Sequence, residues 1–197
     1  EEAPEEIRLA PRDLSALWRG VKPSDERGMA IPMLLQGDYD ATVLYYYGVP
    51  KSVATSGCGA ACLSMAIRYL TGDEAQTPET LFRAAYDRGD YFGDGLSHAA
   101  LDRLGEDYGV EGEWIGRDGA AIRRALETGR PVIAHMGPGT FTQQGHYILL
   151  RGLDEDGKVV LNDPNSEKHT YHTYDLSLIL EESKGDTPFK ICSRAAS

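Results

Sequence analysis

Apolar residues recur at helical spacing through much of the first two thirds of the chain. The strongest run begins at Cys58 and stops before Gly72, a residue type that commonly ends a helix. The positions that would share its buried face are Cys62, Met65, Ala66 and Tyr69. The pattern therefore predicts a buried helix with Cys58 at or just before its first turn.

Three more helices are predicted over 77–89, 97–109 and 118–129. Each begins at a Thr, Ser or Asp, whose side chain can accept a hydrogen bond from the first helical turn. Each also ends at a glycine, which tolerates the left-handed conformation found at helix C-termini. The first half of the chain is therefore predicted to be mostly helical.

From Arg130 onward the pattern changes to short apolar runs separated by Gly, Pro and Asp, which is typical of strands. The predicted strands are 131–136, 145–152, 158–162, 170–174 and 189–193, with a short helix beginning at Asp175. Helices followed by antiparallel strands indicate the α+β class rather than a doubly wound fold. We therefore expect a helical lobe at about 29–129 and a sheet lobe at about 130–197.

The first 28 residues are acidic and proline-containing, and we interpret them as an N-terminal extension with a short helical stretch at 13–19. Docking through apolar side chains and a flexible tail are both compatible with this composition. A strand is predicted at 29–35, followed by a long surface loop over 38–50.

Composition excludes several function classes. The formal net charge of −11 argues against a nucleic-acid partner, because no basic stripe could neutralise phosphates. The three cysteines are an odd number without zinc-ligand spacing, so we expect no disulfide scaffold, metal or cofactor. No run approaches the about 18 apolar residues of a membrane span. A start at Glu1 favours a secreted or cell-surface protein whose signal peptide was removed, and a cytoplasmic location stays open.

Cys58 is the candidate nucleophile. It lies between Gly57 and Gly59, which leave its sulfur open to a substrate. Unpaired backbone N–H groups and the positive end of the helix dipole favour a thiolate at this position. The backbone N–H of Cys58 could also donate to the oxyanion of an acyl-transfer reaction.

The predicted hairpin supplies a base and an acid for this thiol. If residues 154–157 form a four-residue loop, Leu153 faces Lys158 and Asp163 faces Ile148. Asp163 then lies on the same face as His146, two residues away, so the two side chains can meet. A register slip of one residue would separate them. Cys58, His146 and Asp163 form a candidate triad, in which the carboxylate orients the imidazole.

These residues resemble the papain-like peptidases related to the bacteriocin-processing, double-glycine-cleaving enzymes. The resemblance covers about residues 31–165 and rests on Ser56-Gly57-Cys58-Gly59, Gly145-His146-Tyr147-Ile148-Leu149-Leu150 and Asn162-Asp163-Pro164. It implies a papain-like fold with a cleft between two lobes and a peptide or protein substrate. It also implies that Cys58 is the nucleophile, His146 the base, Asp163 the orienting acid and Gln36 an oxyanion donor. The gap between Gln36 and Cys58 is longer than in papain and requires a loop excursion.

Three functions stay open at this point. The first is a cysteine peptidase that cleaves a peptide or isopeptide bond through an acyl-thioester. The second is a transpeptidase like phytochelatin synthase, in which an amine or thiol takes the acyl group. The third is a catalytically silent module that binds peptides or cell-wall fragments. The remaining cysteines and histidines are predicted to be structural or exposed: Cys62, Cys192, His98, His135, His169 and His172.

Overall fold

In a computed structural model, residues 6–8, 28–39, 42–91 and 95–197 are described, and the predicted helical stretch at 13–19 lies outside them. The helices are α1 (Val53–Ser56), α2 (Cys58–Thr71), α3 (Pro78–Asp87), α4 (His98–Asp107), α5 (Gly119–Glu127), α6 (Glu167–Tyr171) and α7 (Leu176–Glu182). The strands are β1 (Glu6–Arg8), β2 (Thr42–Tyr46), β3 (Val49–Lys51), β4 (Val110–Glu111), β5 (Trp114–Ile115), β6 (Val132–Met136), β7 (His146–Leu153), β8 (Val159–Asn162), β9 (Thr173–Tyr174), β10 (Phe189–Ile191) and β11 (Ser193–Arg194).

The predicted helix caps are confirmed. The side chains of Thr77, Ser97 and Asp118 each accept a hydrogen bond from the backbone N–H three residues later, at the starts of α3, α4 and α5. Each bond satisfies a donor that the helix itself leaves unpaired. The capping residues therefore mark where these three helices begin.

Helix α2 begins at Cys58 and ends at Gly72, whose φ of 77° is left-handed. Cys62, Met65 and Ala66 are fully buried, as predicted, but Tyr69 is 38% exposed. The prediction for Tyr69 is wrong because burial does not continue to the end of the helix. Residues 59–67 are all buried where α2 packs between α3, α4 and β7, and Tyr69 lies beyond this section.

The main sheet is antiparallel and has the strand order β5-β10-β6-β7-β8-β9. Its central strands β6, β7 and β8 are apolar and almost entirely buried, with α2 and α5 packed against β7. Helices in the first part of the chain and an antiparallel sheet in the second confirm the α+β prediction. The division at residue 29 stays a prediction, and Glu6–Arg8 forms a strand that pairs with β2.

Two predictions near the start of the domain are wrong. The segment 29–35 is not a strand; a 3-10 turn, Gln36–Asp38, follows it. The expected loop over 38–50 contains the β2–β3 hairpin, turned at Tyr47 and Gly48, which both have positive φ. Such a two-residue turn matches the twist of an antiparallel pair. The Tyr47-Gly48 sequence is the feature from which this turn could have been predicted.

The β7–β8 hairpin has the predicted register at its open end, near His146 and Asp163, but it reaches this register through a longer loop and a bulge. The loop spans 154–158, so Leu153 pairs with Val159 and not with Lys158. A bulge between Leu150 and Gly152 then shifts the register by one residue. Asn162 consequently pairs with Leu149, as the four-residue loop would have required.

The end of the chain also differs from its prediction. The expected strand over 170–174 is only partly formed, because residues 170 and 171 end helix α6 and Thr173–Tyr174 alone pairs with β8. The expected strand over 189–193 is divided, because β10 pairs with β5 and β6 whereas β11 pairs with β4. The predicted helix at Asp175 is confirmed as α7.

Candidate active site

Cys58 is the first residue of α2 and is half-buried. The first intrahelical hydrogen bond joins the Ala61 N–H to the Gly57 carbonyl, at 2.9 Å. The N–H groups of Cys58, Gly59 and Ala60 therefore have no partner within the helix. A negative charge on the Cys58 sulfur, or beside it, is stabilised at such a helix terminus.

The glycines beside Cys58 permit close packing at the helix junction. A Cβ on Gly57 would lie 2.6 Å from Val53 in α1, which is closer than real contacts allow. A Cβ on Gly59 would lie 3.3 Å from the Tyr147 ring on β7. The two small residues thus bring α1 and β7 against the start of α2, next to the thiol.

His146 and Asp163 are joined as the register predicts. The imidazole Nε2 lies 2.6 Å from Asp163 Oδ1, and both residues are buried. Because a carboxylate only accepts hydrogen bonds, Nε2 carries the hydrogen and donates it. Nδ1 is the ring nitrogen that remains for Cys58, which lies near enough to contribute to the raised pKa of His146. The structure therefore joins His146 to Asp163 by a hydrogen bond and places Cys58 close to the same imidazole.

The electrostatics of this group favour a charged imidazole. Burial alone lowers the pKa of His146, but its hydrogen bonds to Asp163 and Cys58 and their negative charges raise it to about 10. Burial alone raises the pKa of the Asp163 carboxyl. Hydrogen bonds from His146, His169 and the Asn165 backbone, with the charge of His146, hold that pKa below its usual value. An imidazolium held by a buried carboxylate is the kind of partner that stabilises a reactive thiolate.

The raised pKa of His146 predicts a pH-dependent contribution to stability. The unfolded-state pKa is about 6.5, so the native interactions stabilise the protein fully below that pH. The contribution is lost as the pH rises toward the folded-state pKa of about 10. We expect the difference in free energy of unfolding between wild type and His146→Ala to shrink from about pH 6.5 to pH 9.5. Urea denaturation of both proteins across this range measures it, and a constant difference would contradict the assignment.

His169 is the site residue that the sequence prediction missed. Its Nδ1 lies 2.7 Å from Asp163 Oδ2, so both carboxylate oxygens are bonded to imidazoles. From the sequence, His169 was assigned no partner and was predicted to be structural or exposed. Ser166 caps α6 through the His169 N–H, and this cap was the available signal for a turn toward Asp163.

Gln36 lies beside α1 and its amide nitrogen donates there. Nε2 is 3.1 Å from the Ala54 carbonyl and 3.4 Å from that of Val53. The buried Oε1 has no hydrogen-bond partner among the described residues. Because Nε2 donates to α1, the oxyanion role of Gln36 stays a prediction. The Cys58 N–H is the donor that the helix start supplies.

Asn162, next to the Asp163 of the candidate triad, is bonded to the rest of the core. Its Nδ2 donates to the Ile31 carbonyl at 3.0 Å, and its Oδ1 accepts from Arg151 Nε at 3.0 Å. Asn162 and Arg151 are both fully buried. The Pro164 carbonyl accepts from the Gln36 N–H at 2.8 Å. The Asn162-Asp163-Pro164 motif therefore fixes the segment from Ile31 to Gln36 as well as His146.

Replacing Asn162 with alanine is expected to lower the free energy of unfolding by about 2–4 kcal/mol. The change leaves the buried Ile31 carbonyl and Arg151 Nε without these bonds. The control is Asn165→Ala, because the Asn165 side chain is exposed, and it should cost less than about 0.5 kcal/mol. Urea denaturation measures both changes. Equal stability of the two variants would contradict this role for Asn162.

The remaining cysteines and histidines lie outside the triad. Burial raises the pKa of Cys192 to about 12 and that of Cys62 well above its usual value. His98 and His135 bond to each other at 3.1 Å and stack on Trp114 and Tyr147, and burial lowers the pKa of both. His172 is exposed.

The described residues provide no metal site and no membrane span. Within ranges 28–39, 42–91 and 95–197, no group of three or more His, Cys, Asp or Glu residues could hold a metal ion. None of the helices in the described part of the chain is long and apolar enough to cross a membrane.

Comparisons with known proteins give one family and similar solved structures. Residues 31–185 match the model of the Peptidase_C39 like family. The peptidase domain of Streptococcus ComA, a bi-functional ABC transporter involved in a quorum sensing pathway, is 15% identical with a TM-score of 0.54, covering 73% of this chain and 93% of that one. A double glycine motif protease from an AMS/PCAT transporter, solved with its leader peptide, is 16% identical with a TM-score of 0.48, covering 87% of this chain and 99% of that one. A comparison with curated protein sequences finds no match.

Proposed function

The chain belongs to the Peptidase_C39 like family and is a cysteine peptidase of papain-like fold, and we propose that Cys58 is its nucleophile, His146 its general acid and base, and Asp163 the residue that orients His146. The observation that carries the proposal is the 2.6 Å hydrogen bond between His146 Nε2 and the buried Asp163. Cys58, at the start of α2, lies near enough to the same imidazole to contribute to its raised pKa.

Acylation begins from the thiolate of Cys58 and the imidazolium of His146. The sulfur attacks the carbonyl carbon of the substrate, and the carbonyl oxygen becomes an oxyanion stabilised by the Cys58 N–H and the positive helix end. His146 then gives its Nδ1 proton to the departing amine as the C–N bond breaks. The products of this half-reaction are a free amine and an acyl-thioester on Cys58.

Deacylation uses the same groups, but His146 now acts as a base. Neutral His146 takes a proton from a water molecule, whose oxygen attacks the thioester carbon. The C–S bond breaks, the thiolate of Cys58 leaves, and His146 is again an imidazolium. Throughout both steps, Asp163 holds Nε2 and stabilises the charged ring.

The substrate that we propose is a peptide or an isopeptide-linked protein. The test incubates the full chain with synthetic peptides, some of which carry Gly-Gly before the scissile bond, and identifies products by mass spectrometry. In isotopically labelled water, we expect new carboxyl termini that contain the label, and an acyl adduct on Cys58 after rapid acid quenching. Products that form only with an added amine or thiol would instead support transpeptidation. Bound but uncleaved peptides would support the binding module.

A further inference from the structure

We infer that His169 is a positioning residue that fixes the Asp163 carboxylate so that Asp163 can orient His146. The inference rests on the proposed function, because it concerns the same triad. It begins with the two carboxylate oxygens. Oδ1 accepts from His146 Nε2 at 2.6 Å and from the Asn165 N–H at 2.9 Å, whereas Oδ2 lies 2.7 Å from His169 Nδ1.

The hydrogen-bond partners determine which nitrogen of His169 carries the hydrogen. Asp163 is 0% exposed and is charged, since the pKa of its carboxyl is lowered, so both oxygens act as acceptors. Nδ1 of His169 therefore holds the hydrogen and donates it to Oδ2. A fully buried carboxylate needs such donors, because water is not there to replace them.

His169 is itself held in place from three sides. Its backbone N–H donates to Ser166 Oγ at 3.1 Å, and its carbonyl accepts from the Tyr174 hydroxyl at 3.0 Å. Its ring packs edge-on against the buried Phe141, with centroids 5.3 Å apart. Phe141 belongs to the segment that leads into β7 and His146. The imidazole is therefore a fixed donor and not a surface side chain that meets Asp163 by chance.

Loss of this donor would release one end of the carboxylate. Asp163 would then be held through Oδ1 alone, by His146 and the Asn165 N–H, and its carboxylate could rotate away from the best alignment with His146 Nε2. Because a hydrogen bond to a charged group contributes about 1.5–3 kcal/mol, the expected loss of Cys58 reactivity is about 10- to 100-fold. His169 does not contact the substrate in this mechanism, so its effect on the reactivity of Cys58 is indirect.

The test compares His169→Asn with His169→Leu in the full chain. The two replacements have nearly the same shape, but only Asn carries an N–H donor near the position of Nδ1. The measurement is the rate of Cys58 alkylation by iodoacetamide against pH, assigned to each cysteine by mass spectrometry. We expect His169→Leu to be about 10- to 100-fold slower than wild type near pH 6.5, and His169→Asn to stay within about threefold. His172→Ala, an exposed histidine just after α6, is the control and should match wild type.

Equal rates for His169→Asn, His169→Leu and wild type would overturn the inference. If His146→Ala is slow in the same assay while both His169 variants are fast, only the inference about His169 fails. If His146→Ala is also fast, the proposed function fails. Should His169→Leu not fold, nitrogen NMR of the wild-type imidazoles decides, because a hydrogen on Nε2 and none on Nδ1 of His169 contradicts the bond to Asp163.

Discussion

Replacing Cys58 with alanine is expected to abolish cleavage of any peptide that the wild-type protein cleaves, with a loss of at least about 10⁴-fold in kcat. The variant has no atom that can form the acyl-thioester, and neither of the other cysteines can replace it. Cys62 and Cys192 are 0% exposed, and burial raises the pKa of both. The fold should remain, because Cys58 is only half-buried and alanine suits a helix. Peptide cleavage and circular dichroism measure the two properties on the same samples.

The matched control is Cys62→Ala, which removes a sulfur from the same helix one turn later. Cys62 lies in the core, so this change should lower the free energy of unfolding by about 1 kcal/mol and leave kcat within about threefold of wild type. If Cys58→Ala kept more than a few per cent of the cleavage activity and Cys62→Ala were inactive, Cys58 would not be the nucleophile.

Replacing His146 with alanine is the second large change, with an expected loss of about 10³- to 10⁵-fold in kcat. The variant loses the proton donor for the departing amine and the cation that stabilises the thiolate. It also leaves the buried Asp163 with His169 as its remaining imidazole partner. The measurement is kcat with the best peptide of the panel, with His172→Ala as a control that should keep full activity. Wild-type kcat in His146→Ala would exclude His146 as general acid and base.

The sequence located those parts of the fold that depend on local rules. Thr77, Ser97 and Asp118 each cap the predicted helix, and Gly72 ends α2 with a positive φ. A cap or a left-handed glycine depends on a few neighbouring residues, so it can be recognised in a single sequence. Burial of Cys62, Met65 and Ala66 also follows from their helical spacing.

The register of the β7–β8 hairpin shows why tertiary features were not predictable. The loop has one residue more than predicted, and a bulge at Arg151 compensates for it. Arg151 is fully buried with its Nε on Asn162, a contact that depends on the fold of the whole domain. Asn162 therefore pairs with Leu149, in the same register that would place Asp163 opposite Ile148, although the assumed loop was wrong. His146 and Asp163 meet because the bulge restores the register.

Three residues of the candidate site were predicted from the sequence, but several of its contacts were not. Cys58, His146 and Asp163 were selected from a helix start and a hairpin, which are both visible in the sequence. His169 was missed because its role depends on α6, a helix of five residues that was not predicted from the sequence. The orientation of the Gln36 amide is likewise set by the α1 carbonyls, and no sequence pattern specifies it.

Activation of Cys58 by His146 is tested by the pH dependence of Cys58 alkylation. Wild type and His146→Ala are treated with iodoacetamide from about pH 5 to pH 10, and mass spectrometry assigns the modified cysteine. We expect rapid alkylation of wild-type Cys58 already near pH 6.5, and slow alkylation of the variant that increases only at alkaline pH. Identical profiles for the two proteins would show that the thiol and the imidazole do not form a pair, and that His146 does not activate Cys58.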